Sequence, residues 1–118
     1  MQLLPRRFRL KKKGDFKKTY YQGKSLANSY LVLYSFKRPE NKESRLGFSV
    51  SKKVGKAVER NKIKRRLREA AKLHLHELKV PFDIIFIARP KIKGISFSDV
   101  EKNMVALLQR AHLLKKDE

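Results

Sequence analysis

Cysteine is absent from this 118-residue chain. Its absence excludes disulfide staples and thiolate metal ligands, and leaves the redox compartment open. Long apolar runs are missing too. A helix that spans a bilayer needs about 18 or more consecutive apolar residues, and no such stretch occurs. Arg6, Arg7 and Arg9 are not followed by an apolar segment, so no secretory signal is expected, and a cytoplasmic protein is the simplest reading. Carboxylates are few, 11 Asp and Glu against 31 Lys and Arg. They are also dispersed, whereas two-metal phosphoryl chemistry needs them clustered. Glu59 and Glu69 lie too far apart on one predicted helix to share a metal, and each is expected to pair with a neighbouring Arg or Lys. Asp83 stands alone in an apolar run and reads as a strand-edge or capping residue. His74 and His76 are two apart and point to different faces of a helix, which disfavours a chelate. His74 is expected to be satisfied and partly buried, and His112 to complement a helix dipole. No Gly-rich phosphate loop and no nucleophile motif is present. The expectation is no catalytic residue and no metal site built from the chain's own side chains.

What is abundant is positive charge. The formal net charge is +20, which opposes the compact state by self-repulsion. Such a surplus makes sense against a polyanion. Nucleic acid is the usual one, because Lys and Arg that meet phosphates release condensed counterions; an anionic membrane surface is the alternative.

The length fits one domain over residues 1–118, with residues 1–13 as a basic arm. Gly14 and Asp15 predict a helix start and Gly23 its stop. On that helix Phe16 and Tyr20 share a face, and Tyr21 points elsewhere. Residues 28–36 alternate, with Tyr30, Val32, Tyr34 and Phe36 opposite Leu31, Leu33 and Ser35, which predicts a strand. Residues 37–44 are a polar turn region. A second strand follows, with Leu46, Phe48 and Val50 opposite Gly47, Ser49 and Ser51. The spacing predicts a helix over 57–79 with Ile63, Leu67, Ala70, His74 and Leu78 as its buried stripe. Phe82 to Ala88 reads as a central buried strand. Ser98 and Glu101 are spaced as a capping box for a last helix that buries Val100, Met104, Leu107, Leu108 and Ala111.

The segment 51–72 concentrates the charge, with ten Lys and Arg against two Glu. A solvated helix face usually mixes signs, and this one barely does. Gly55 lets backbone N–H groups approach a phosphate just before the helix. Arg60, Arg65 and Arg68 offer planar forks, and Asn61 can donate and accept. Phe16, Tyr20, Tyr30 and Tyr34 are of the type that stacks unpaired bases, although core packing competes for each ring. A structured RNA is the favoured partner. A ribosomal protein, a helix-turn-helix DNA binder and a self-contained nuclease are the rivals; no second short helix is found for the DNA binder, and no carboxylate cluster for the nuclease.

The stretch Phe48-Ser-Val-Ser-Lys-Lys-Val-Gly-Lys-Ala-Val-Glu-Arg-Asn-Lys-Ile-Lys-Arg-Arg-Leu-Arg-Glu69 resembles the signature of the protein subunit of bacterial ribonuclease P. The likeness extends to Asp15-Phe16, to Gly23-Lys-Ser-Leu-Ala-Asn28 and to Asp83-Ile-Ile-Phe-Ile-Ala-Arg89. The resemblance implies a partner RNA that is itself the catalyst and uses Mg²⁺ to hydrolyse the phosphodiester at the 5′ end of precursor tRNA. It implies that Lys52, Lys53, Lys56, Arg60, Asn61, Lys62, Lys64, Arg65 and Arg68 face this catalytic RNA. It implies a cleft for the single-stranded 5′ leader at Phe16, Tyr20 and Tyr34, and no obligatory protein partner. Where the family commonly has Arg-Asn-Arg, this chain has Arg60-Asn61-Lys62, which keeps the charge but not the fork. The implied fold is an α+β sandwich of order α-β-β-β-α-β-α, similar to the second domain of the small-subunit ribosomal protein of the S5 type. That fold contains a left-handed βαβ crossover, whereas such units are right-handed in about 98% of cases.

Overall fold

Period-two alternation resolves into four strands: β1 (Lys24–Ala27), β2 (Leu31–Lys37), β3 (Arg45–Ser49) and β4 (Phe82–Ala88). A computed structural model describes residues 4–115 and joins the strands in one sheet of order β1-β2-β4-β3. β4 is an inner strand, antiparallel to β2 and parallel to β3. That position explains its unbroken apolar run, since Ile84, Ile85 and Phe86 are all fully buried.

The two faces of the sheet are used differently. Leu31, Leu33, Leu46, Ile84 and Phe86 join one core with Ile63, Leu67 and Ala70 of helix α2 (Ala57–Lys72) and Val100, Met104, Leu107 and Leu108 of helix α3 (Phe97–Arg110). Residues that alternate with these, Tyr34 and Gly47 among them, point to the opposite face. Helix α1 (Lys13–Gln22) crosses that face. The described residues therefore form a mixed α+β unit with a four-stranded sheet and three α-helices, in the element order that the resemblance implies.

The basic segment ahead of α1 is built into the sheet. Leu4, Phe8 and Leu10 are buried, and the Leu10 N–H donates to the Leu46 carbonyl at 2.8 Å. This segment closes the outer edge of β3, which would otherwise present unpaired backbone groups. Residues 1–3 of the predicted arm lie outside the described residues.

Two local expectations are corrected, and a third, the stop at Gly23, holds for a different reason. The predicted helix over 57–79 ends at Lys72, and a 3₁₀ turn at Leu75–Glu77 follows. Leu78 is still buried, but through a bridge to Leu114. The cap of α3 is Ser96, whose hydroxyl accepts the Asp99 N–H at 3.1 Å, so Ser98 and Glu101 form no capping box. Gly23 does follow the last turn of α1, but with an ordinary φ of −83°. It is needed for space: a Cβ there would lie 2.4 Å from the Thr19 carbonyl oxygen and 2.5 Å from that of Ser35. At the end of α3 the left-handed position is taken instead by His112, φ 57°, and the Leu113 N–H then reaches the Leu108 carbonyl.

His74 shows why α2 stops early. Off the helix, its ring reaches Glu77 at 2.7 Å and Glu101 of α3 at 2.8 Å. Burial pushes the His74 pKa down, but the hydrogen bonds to Glu77 and Glu101 outweigh it, and the result lies above 6.5. A raised folded pKa stabilises the protein fully below the unfolded value near 6.5, and that stabilisation is lost as pH rises through the folded value. Thermal unfolding should show a loss of stability on the alkaline side of pH 6.5 that His74→Gln abolishes. Identical pH profiles for the two proteins would refute this.

Candidate nucleic-acid interface

The buried stripe Ile63, Leu67, Ala70 and Ala71 fixes which residues of α2 face outward. Lys52, Lys53 and Lys56 ahead of the helix, and Asn61, Lys62, Arg65 and Arg68 on it, are exposed; Arg60 and Lys64 are half-buried. The structure thus places all nine predicted RNA-facing residues on or beside one helix. Among the described residues none of these cations forms an ion pair. Among the described residues Glu59 and Glu69 form none either, which corrects the expectation that they pair with neighbouring Arg or Lys. Two arginines are not wholly free. Arg60 donates to the Gly55 carbonyl at 3.2 Å, and Arg66 donates to the Ile95 carbonyl at 2.9 Å. One cation was not legible in the sequence. Lys93, from the loop before α3, lines an open hollow of about 570 Å³ with Lys52, Lys56 and Arg60.

The aromatic set comes together on the opposite sheet face. Phe16 and Tyr20 have ring centroids 6.3 Å apart, and Tyr20 meets Tyr34 edge-on at 5.0 Å. All three are half-buried, so each ring keeps a surface a base could meet. Burial raises the Tyr20 pKa above its usual value, and a hydrogen bond with Ser49 opposes the rise. Gly47 is a residue the sequence reading missed. A Cβ there would sit 2.6 Å from the Phe16 ring, so glycine is what lets that ring lie on β3. Tyr30 does not join the row; it packs at the margin of the core. A hollow of about 210 Å³ links the two surfaces, since Phe16 and Phe48 line it together with Arg9, Lys11 and Arg68.

What holds α1 in place is an ion-pair network centred on Asp83. Asp83 is neither an edge nor a cap residue, as the sequence suggested, but fully buried on the inner strand β4. Arg45 grips it with two hydrogen bonds of 2.8 Å, Asn41 donates at 2.9 Å, and Arg38 lies at 3.5 Å. The same two arginines reach Asp15, in the first turn of α1, at 3.2 and 3.4 Å. The hydrogen bond to Asp83, foremost, holds the Arg45 guanidinium more firmly protonated than usual. A buried carboxylate demands such partners, because an unpaired charge there would be expelled or neutralised.

These carboxylates do not suit a metal. The Asp83 oxygens are taken up by Arg45, Asn41 and Arg38, and Asp15 by Arg38 and Arg45. Among the described residues no group of three or more His, Asp or Glu could hold a metal ion. Nor is any helix among them long and apolar enough to cross a membrane.

Comparison with known proteins places this geometry. The family model for ribonuclease P matches residues 4–112. The ribonuclease P protein component of Clostridioides difficile is 47% identical over 105 residues, which is 88% of this chain and 91% of that one. The structure of the Staphylococcus aureus RNase P protein superposes with a TM-score of 0.85 at 40% identity, covering 92% of this chain and 98% of that one. A second S. aureus structure, of an RNase P protein mutant described as having defective mRNA degradation activity, matches with the same TM-score and identity over 91% of this chain and 90% of that one. The chain belongs to the bacterial ribonuclease P protein family.

Proposed function

We propose that this chain is the protein subunit of a cytoplasmic ribonuclease P ribonucleoprotein. It binds the catalytic RNA through α2 and the single-stranded 5′ leader of precursor tRNA through the aromatic cleft. It thereby supports removal of the leader to give the mature 5′ end. The observation that carries the reading is the pairing of two surfaces on one small domain: a strongly basic, nearly single-signed helix and a row of half-buried rings, joined at one hollow by Phe16 and Arg68. Backbone phosphates favour the first surface and unpaired bases the second. Hydrolysis belongs to the RNA, with Mg²⁺ bound there; Asp15 and Asp83 are engaged by Arg38 and Arg45, and the described carboxylates form no metal-binding cluster. Neither a membrane nor a second protein is needed.

A second reading is RNA degradation by the chain itself, suggested by the description of the S. aureus mutant. One experiment separates the two. With partner RNA and Mg²⁺ the protein should support precursor tRNA cleavage at physiological salt, and rigorously RNA-free protein should cleave neither precursor tRNA nor mRNA. Cleavage by the RNA-free protein would decide for the second reading.

The cleft has its own test. Phe16→Leu, Tyr20→Leu and Tyr34→Leu keep much of the apolar volume but remove the π-face. Stacking is worth about 1–3 kcal/mol per base by truncation to Ala, so each variant should lose part of that. The loss should appear with precursor tRNA and not with mature tRNA, which lacks the leader. A fall in melting temperature with an unchanged precursor-to-mature affinity ratio would make the rings core residues only.

A further inference from the structure

We infer that a hollow on the far edge of the sheet, between β1 and the C-terminal end of α3, is a second contact for the precursor tRNA leader, taking nucleotides 5′ of those in the aromatic cleft. The inference rests on the leader reading above. Two adjoining cavities of about 500 and 370 Å³ form the hollow and share Lys24, Ser35 and Ala111. Lys24, Lys37 and Arg110 stand around an apolar floor, and among the described residues no Asp or Glu lines either cavity. Among the described residues Lys24 and Lys37 make no ion pair, and Arg110 uses one N–H on the Ala27 carbonyl at 3.2 Å. A cationic groove without carboxylates suits a phosphate backbone.

Position decides which anion. The strand order puts β3, which touches α2, at one edge and β1 at the other, roughly 14 Å away at ordinary strand spacing. A leader leaving a catalytic RNA docked on α2 meets Phe16 above Gly47 of β3, then Tyr34 of β2. The next strand outward is β1. Register sets Ser25 of β1 opposite Tyr34, hence on the cleft face, and Ser25 also lines the hollow. Leu26, Leu33 and Ser35 of the hollow alternate onto the opposite face, so Ser25 is the link between cleft and hollow, at the short, mostly exposed β1 margin. An acidic peptide laid along the β1 edge would satisfy the charge but not this continuity.

The test uses holoenzyme reconstituted with the catalytic RNA and a series of precursor tRNAs whose leader is shortened one nucleotide at a time. The variant is Lys24→Ala/Lys37→Ala/Arg110→Gln. Wild-type affinity should rise over the nucleotides nearest the cleavage site and rise again with the outer ones. The variant should keep the first gain and lose the second, about tenfold, the order expected of three exposed charge contacts. The slope of log K against log salt for the longest leader should shrink by about 2. Mature tRNA affinity, assembly with the catalytic RNA and melting temperature should not change. Lys24→Ala/Lys37→Ala alone should show the same pattern at smaller amplitude, which keeps the test open if the Arg110 substitution disturbs α3. Full retention of the long-leader gain overturns the inference, and so does an equal loss for mature and precursor tRNA. Binding of polyglutamate by wild type and not by the variant, with the leader gain intact in both, assigns the hollow to an acidic peptide. A wild type with no leader dependence at all overturns the cleft reading itself, a different result from failure of the hollow.

Discussion

Asp83→Ala should destabilise the protein by about 3–5 kcal/mol, the usual cost of removing one partner from a buried ion pair. The substitution leaves two guanidinium groups facing each other where their shared counter-ion was. The side chains of Arg38 and Arg45 are only 12% and 24% exposed, so water cannot replace the carboxylate well. Nη1 of Arg38 already lacks a hydrogen-bond partner and depends on the nearby charge. The second consequence is functional. Asp15 would then be the one carboxylate left bridging both arginines, with the more exposed Glu40 reaching Arg38 alone at 3.1 Å, and α1 would be less firmly seated on the sheet. Since α1 carries Phe16 and Tyr20, the precursor-to-mature tRNA affinity ratio should fall as well. Replacing Asp83, Arg38 and Arg45 together by apolar residues of similar volume should cost far less than removing Asp83 alone. Denaturant unfolding measures the first effect and tRNA binding the second. A destabilisation below about 1 kcal/mol would mean that the network behaves as a screened surface pair.

Arg65→Ala and Arg68→Ala should each weaken binding of the catalytic RNA by about 1–3 kcal/mol, if each donates a charge-assisted hydrogen bond to phosphate. The double variant should lose roughly 2–6 kcal/mol, less any coupling between neighbours on one helix face. Arg60→Ala should lose less than either, because part of its guanidinium is already engaged by the Gly55 carbonyl. Arg66→Ala makes the informative contrast. Its bond to the Ile95 carbonyl ties α2 to the loop before α3, so its loss should lower the melting temperature and leave RNA affinity nearly unchanged. Filter binding across a range of salt concentrations reads both affinity and slope, and the slope should flatten for Arg65 and Arg68 but not for Arg66. Unchanged affinity and slope at Arg65 and Arg68 would show that α2 faces solvent.

The basic helix and the central strand were legible because each follows from local pattern. Ile63 and Leu67 declare the inward face of α2, and everything opposite them must face out. The run from Ile84 to Ile87 declares burial on both sides. The aromatic row was half legible: Phe16 and Tyr20 are four apart on one helix, but their meeting with Tyr34, and the glycine that seats Phe16, depend on which sheet face α1 covers. Asp83 was misread for the same reason. A lone acid in an apolar strand announces a problem, and its solution, Arg45 and Arg38, comes from segments that only pairing of β3 and β2 with β4 brings near.

What the sequence determined by itself is therefore whatever depends on residues a few positions apart: the type of most elements, the inward stripe of each long helix, the strong excess of one sign of charge, and the family signature, whose resemblance supplied the full element order. The helix end at Lys72 and the cap at Ser96 escaped it, because His74 and Glu101 were free to leave their predicted local roles for each other. Tertiary structure decided which distant residues share a surface: Lys93 with Arg60, Phe16 with Arg68, Ser25 with Tyr34. The physical reason is that side-chain periodicity is set by the local backbone, whereas the choice of neighbour is set by strand pairing and by where buried charges can be satisfied.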